Sequence, residues 1–195
     1  ISKRINKYIK KAANLVQQEA TGRALYSIQP LTTNGDNVLI DNKMQIKSRR
    51  ISKIFKVCNK VLVFVSTIGE KIDSKIDHHI QNNASYGYIL DQAASLAAET
   101  AAEYVQKHLA EKLEDKADTT LRYSPGYCDW SINEQNNLFK ILESDKIGVT
   151  LNNSSYMTPR KSITGIIGIC SNSIEEFKKN ACLYCNRIDC PYRRD

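Results

Sequence analysis

The sequence predicts an α+β fold in which helices pack on a twisted, largely antiparallel sheet. Three observations carry this reading: helical periodicity over residues 5–16 and 86–113, β-branched runs at residues 61–65 and 163–169, and a short hairpin pattern after residue 34. These segments do not follow the alternating strand–helix rhythm of a parallel sheet. The chain has 195 residues, 42% of them hydrophobic and 25% charged, with 8 Gly and 4 Pro, which is the make-up of a folded domain with a sizeable core.

Each element has a local cause. Ile5, Tyr8, Ile9, Ala12, Ala13, Leu15 and Val16 recur at helical spacing, with Lys3, Lys7, Lys10 and Lys11 on the other face. Asn34-Gly35-Asp36 is a turn signal, and residues 38–40 and 44–46 flank Asp41-Asn42-Lys43 as a short hairpin. Residues 61–65 read as a buried strand ending in Ser66-Thr67-Ile68-Gly69, with a helix from about Glu70. The clearest helix spans 86–113, where Ala93, Ala94, Ala97, Ala98, Ala101 and Ala102 let another backbone approach closely. Glu99 and Glu103, four apart, share one side of it.

Beyond Asp118 a loop surrounds Ser124-Pro125-Gly126. Ser131 and Glu134 have the spacing of a capping box, and Leu138, Ile141 and Leu142 turn the following helix to the core. Residues 147–151 and 163–169 are strand candidates. Residues 1–169 are expected to form one α+β domain with an N-terminal helical region, and 170–195 a cysteine-containing tail.

Charge and motifs exclude more than they propose. The net charge is +7, from 28 Lys and Arg against 21 Asp and Glu, but clusters such as Lys47 with Arg49-Arg50 are interrupted, as on a solvated face. Nucleic acid is therefore not an expected partner. The longest strongly apolar run has five residues, far short of the roughly 18 that span a bilayer, so no membrane partner is expected either. There is no dinucleotide glycine pattern, P-loop or nucleophile elbow. His78, His79 and His108 lack metal-binding spacing.

The stretch Arg122-Tyr123-Ser124-Pro125-Gly126-Tyr127-Cys128-Asp129-Trp130 gathers a guanidinium, three aromatic rings and a Pro-Gly turn. Pro125 suits the first corner of a type II turn and Gly126 the second, which requires positive φ and exposes backbone groups to a ligand. Arg122 suits a carboxylate, and Tyr127 or Trp130 a cationic or adenine group. A small zwitterionic ligand fits this set; a tight turn with aromatics in the core and Arg122 in an ion pair is the alternative.

Three segments resemble the activation, or reactivation, domain of cobalamin-dependent methionine synthase in a stand-alone form: Arg122-Tyr123-Ser124-Pro125-Gly126-Tyr127, Ala98-Glu99-Thr100-Ala101-Ala102-Glu103-Tyr104, and Ile147-Gly148-Val149-Thr150-Leu151 continuing to Ser155-Tyr156-Met157-Thr158-Pro159. The resemblance covers roughly residues 50–170 and implies the fold of that domain. It also implies binding of S-adenosylmethionine and donation of its methyl group during reductive remethylation of cobalamin. By resemblance, Arg122 holds the ligand carboxylate, Tyr127 lines the binding surface, Ser124 and Gly126 offer backbone contacts, and Glu99 accepts a hydrogen bond from the ligand amine or ribose. The cobalamin would reside on a partner methionine synthase or related corrinoid methyltransferase, with a flavodoxin or ferredoxin as electron donor. The chain would then be an accessory component rather than a complete enzyme.

The tail carries a separate signal. Cys182, Cys185 and Cys190, with Cys170 twelve residues upstream of Cys182, could supply thiolates to zinc or to an iron–sulfur cluster. Metal-free thiols and disulfides are the alternatives, and a cytoplasmic location disfavours the latter. Cys58 reads as a small core residue. A rival function is therefore a metal- or cluster-binding corrinoid activation module that does not use S-adenosylmethionine.

Overall fold

The computed structural model describes residues 2–113, 117–171 and 174. In chain order the elements are α1 (Lys3–Glu19), β1 (Arg23–Asn34), β2 (Asn37–Ile40), β3 (Met44–Lys47), α2 (Arg49–Phe55), β4 (Cys58–Thr67), α3 (Lys71–Asn82), α4 (Ala84–Lys112), β5 (Asp118–Thr119), α5 (Gln135–Ile141), β6 (Thr150–Leu151), β7 (Met157–Thr158) and β8 (Ser162–Cys170). Six strands form a sheet in the order β3-β2-β1-β4-β8-β5, and β6 pairs with β7 separately. The pairs β1–β2, β2–β3, β5–β8 and β6–β7 are antiparallel, as the α+β reading predicts. The chain divides into two compact units, one of Ile1–Leu25, Val65–Val105 and Glu143–Ile163, the other of Tyr26–Phe64, Gln106–Leu142 and Thr164–Asp195.

The first unit is built on helices. Ala12 and Val16 of α1 meet Ile72 and Ile76 of α3 and Tyr86, Leu90, Ala94 and Ala98 of α4 in one buried cluster, with Ile68 beneath. The alanine stripe thus does what its spacing predicts: Ala94 and Ala98 are buried where larger side chains would hold the helices apart. Asn83 separates α3 from α4, its side chain accepting from Tyr86 N (3.2 Å) and donating to the Tyr8 hydroxyl (3.0 Å). The β6–β7 hairpin closes around Asn152, whose Oδ1 accepts from Ser154 N and Tyr156 N, both at 2.9 Å.

Beyond that hairpin two consecutive cations grip different helices. Arg160 donates from its backbone N to Asp73 Oδ2 (2.7 Å) and from Nη2 to Asp77 Oδ1 (2.7 Å) on α3. Lys161 Nζ donates to Asp91 Oδ1 (2.7 Å) and Ser95 Oγ (2.9 Å) on α4. Burial opposes the charge on Arg160, yet the hydrogen bond to Asp77 and the fields of Asp73 and Asp77 leave its pKa raised.

The second unit is built on strands. Leu31↔Ile40 and Asn34↔Asn37 fix the β1–β2 register, and Ile40↔Met44 and Asn37↔Lys47 that of β2–β3. Val38, Ile40 and Ile46 fall on the buried side, with Ile51 and Phe55 of α2, Leu62 of β4 and Ile166 of β8 also buried. Phe55 and Tyr123 pack edge to face, 6.0 Å between ring centres.

Some expectations need correction. Residues 147–151 are not one strand: a 3₁₀ turn (Ser144–Ile147) ends in left-handed Gly148 (φ 71°), and only Thr150–Leu151 pairs. The capping box is also incomplete. Ser131 Oγ accepts from Asn133 N (3.3 Å) and starts a 3₁₀ turn at Ile132–Glu134, while Glu134 Oε2 accepts from Asn137 Nδ2 (2.7 Å). Strand β1 and helix α2 were not anticipated from the residues.

Candidate functional site

The 122–130 loop lies in the second unit and is two turns in succession. Tyr127 N donates to Ser124 O (3.0 Å), closing a turn in which Gly126 has φ 95°, the positive value expected at its second corner. Trp130 N donates to Tyr127 O (3.0 Å), closing the next, where Cys128 has φ 56°. Gly126 N donates to Trp130 O (2.8 Å) and folds one turn back on the other.

The base of the loop is sewn to β8. Tyr123 N donates to Ile166 O (3.0 Å) and Ile166 N to Tyr123 O (2.8 Å). The approach is close enough that a Cβ on Gly165 would lie 2.7 Å from the Tyr123 carbonyl oxygen. A glycine inside a β-branched strand run is the sequence signal for such an approach. The far end is tied to α2: Asp129 accepts from Ser48 Oγ and, at 3.0 Å, from Arg49 N. Neither tie belongs to the residues that the sequence singled out for ligand contact.

This scaffold sorts the predicted residues. Pro125 and Tyr123 are buried, Arg122 and Ser124 half-buried, and Gly126 and Tyr127 exposed. Arg122, Ser124, Gly126 and Tyr127 thus lie along one loop, Arg122 beside the residue paired with β8 and Gly126 and Tyr127 on its exposed turn. Trp130, offered with Tyr127 as a cover for a cationic or adenine group, is only 2% exposed against 45% for Tyr127. Its indole packs inside, so Tyr127 is the ring presented to solvent. Glu99 lies in the first unit, half-buried on α4, whereas Glu103 is exposed.

The cysteines fall differently from the metal-site expectation. Cys170 is bonded to Cys58 across 112 residues, so its sulfur is not a thiolate available to a metal, and Cys58 is a disulfide partner rather than a simple core thiol. Cys182, Cys185 and Cys190 lie outside the described residues. Among the described residues no group of three or more His, Cys, Asp or Glu is placed to hold a metal ion. The rings of His78 and His79 on α3 meet edge to face, and burial together with His78, Lys11 and Lys75 lowers the pKa of His79.

No described helix is long and apolar enough to cross a membrane. No curated protein matches the chain. Among solved structures it is similar to one described as "Crystal Structure of the MetH Reactivation Domain bound to AdoHcy", at 16% identity and a TM-score of 0.65, covering 88% of this chain and 67% of that one. At that identity the likeness speaks for the fold, mixed helices and antiparallel sheet. The sequence itself matches the family described as "Vitamin B12 dependent methionine synthase, activation domain" over residues 51–182, a span that contains the whole 122–130 loop and α4. The chain therefore belongs to the family of vitamin B12-dependent methionine synthase activation domains.

Proposed function

We propose that this protein binds S-adenosylmethionine at the 122–127 loop and presents its methyl group for the reductive remethylation of cobalamin carried by a partner methionine synthase or related corrinoid methyltransferase. The observation that carries the proposal is the loop itself. Arg122 offers a forked cation to a carboxylate, Gly126 gives an exposed turn with no side chain of its own, and the exposed ring of Tyr127 offers a face to a sulfonium or adenine. Membership of the activation-domain family supports it, as does a structural neighbour solved with AdoHcy.

In that reaction one electron, from a donor such as a flavodoxin or ferredoxin, reduces cob(II)alamin. The reduced cobalt takes the methyl group as a cation, and S-adenosylhomocysteine leaves with the electron pair of the broken carbon–sulfur bond. The corrinoid supplies the nucleophile, so this chain needs no general base; its residues hold and orient the donor and exclude water. The setting proposed with these partners is cytoplasmic, and the Cys58–Cys170 bond is the one described feature that a reducing compartment works against. Glu99 rests on the resemblance and is tested by its own variant, Glu99→Gln.

Calorimetric titration of the protein, with its Cys58–Cys170 bond intact, with S-adenosylmethionine and S-adenosylhomocysteine decides the reading. Saturable binding is expected, weakened at least about tenfold in Arg122→Ala, since a charge-assisted bidentate contact is worth about 1.5–3 kcal/mol. Absence of binding to the folded wild-type protein at millimolar ligand overturns it.

A further inference from the structure

We propose that Asp129 is the positioning residue of the ligand loop, a carboxylate that touches no ligand and fixes the presentation of Gly126 and Tyr127 by tying the loop to the start of α2. The inference rests on the ligand reading above and adds to it a residue outside the predicted contact set. The three backbone bonds within the loop close it on itself, and the Tyr123–Ile166 pair fixes its base. None of them sets the angle at which its far end leaves the sheet. Asp129 does: it reaches across 81 residues to accept from the Ser48 hydroxyl and across 80 to accept from Arg49 N.

Both partners are committed to this contact. Ser48 is only 1% exposed, and its oxygen also accepts from Ile51 N at 3.0 Å, so its one hydroxyl proton is spent on Asp129 and its lone pair on the helix. Helix α2 has seven residues, begins with Arg49 and Arg50, and has no acidic residue in its first turn. Cations at a helix N-terminus oppose the backbone dipole, and so short a helix does not persist by itself. Asp129 supplies from the loop the anion that the helix lacks. The helix in turn holds the loop, because Asp129 sits two residues after Tyr127, inside the turn closed by Trp130 N and Tyr127 O. If that tie opens, the turn carrying the Tyr127 ring loses its bonds to the start of α2.

The test uses the full chain and two readouts. Trp130, the only tryptophan, is buried and adjacent to Asp129, so its emission reports the loop without any ligand. Asp129→Ala is expected to red-shift that emission and to weaken S-adenosylhomocysteine binding about ten- to a hundredfold, the scale of a binding element displaced by up to an ångström. Asp129→Asn keeps one acceptor oxygen and is expected to recover much of both signals, and Ser48→Ala to shift both in the same direction as Asp129→Ala. The double variant should be no worse than Asp129→Ala. Unchanged emission and binding in Asp129→Ala overturn the proposal. So does lost binding with unchanged emission and no recovery in Asp129→Asn, which would mark a direct ligand contact. Should Asp129→Ala fail to fold, Asp129→Asn and Ser48→Ala carry the same comparison. Should the wild type bind no S-adenosylhomocysteine, the ligand reading fails, and the positioning role with it, while the emission arm still reports whether the tie exists.

Discussion

Gly165→Ala tests the seam between the ligand loop and β8. A Cβ there would lie 2.7 Å from Tyr123 O, 3.0 Å from Phe64 Cε1 and 3.2 Å from Ser124 Oγ. The first neighbour decides the outcome, because it is backbone and already engaged: Tyr123 O accepts from Ile166 N at 2.8 Å, one residue from the new methyl group. Relieving the clash moves the carbonyl by about half an ångström and lengthens both bonds of the Tyr123–Ile166 pair. Overpacking of this kind costs about 1–3 kcal/mol, and weakening two backbone hydrogen bonds adds about 1 kcal/mol more. The expected loss is about 2–4 kcal/mol, or a fall of about 4–16 °C in melting temperature for a chain of this size. Gly22→Ala is the control. It meets no atom within 4 Å and has no left-handed φ, so it should be neutral or stabilise by up to about 1 kcal/mol. Urea denaturation of both variants gives the comparison. If Gly165→Ala lies within about 0.5 kcal/mol of wild type, the close approach does not constrain the loop and the reasoning fails.

Arg122→Ala should lose ligand affinity, which calorimetry will read on a preparation whose thermal melt shows it to be folded. Asp91→Ala strips the Lys161 ammonium, whose side chain is 12% exposed, of its carboxylate and leaves Ser95 as its remaining described acceptor. A loss of about 2–3 kcal/mol in chemical denaturation is expected, toward the low end for breaking a buried pair because Asp91 is 32% exposed, and Lys161→Met in the same chain should restore part of it. His79 makes stability pH-dependent. Its folded pKa lies below the ordinary value of about 6.5, so the unfolded chain takes up the proton first. Stability contributed by neutral His79 is therefore present above that value and declines as pH falls from about 6.5 toward the folded pKa; in His79→Gln the melting temperature should vary less over that interval.

The elements that were legible announce themselves locally. α1 and α4 repeat at helical spacing, the centre of β4 is an unbroken apolar run rich in β-branched residues, and the β2–β3 hairpin has turn residues at its corner. β1 was illegible because its hydropathy does not follow its burial: Ser27, Gln29 and Thr33 share the less exposed side with Leu25 and Leu31 while Tyr26 and Ile28 are exposed, and Pro30 argues against a strand. α2 was illegible because the anion at its start comes from Asp129, 80 residues away. The same limit applies at the site. Arg122, Ser124, Gly126 and Tyr127 were readable as a turn, since turn chemistry is local. The inward packing of Trp130 and the bond between Cys58 and Cys170 depend on partners that spacing cannot show. The reading of 147–151 as a strand missed Gly148, whose left-handed backbone breaks the run.

The paired grips of Arg160 and Lys161 set where this family can change length. The hairpin tip, residues 152–156, is held by the side chain of Asn152 and carries Tyr156, which is 71% exposed, so residues gained or lost there displace little else. At residues 159–162 the situation reverses. Consecutive side chains must reach α3 and α4, and Ser162 Oγ must still donate to Pro159 O at 2.7 Å or Thr67 Oγ1 at 2.9 Å. A single inserted residue would deprive at least one helix of its cation and shift the start of β8 by one pleat, turning every buried side chain of that strand to its opposite face. Natural variants in chain length should accordingly collect at the tip and be missing from the four residues that follow β7.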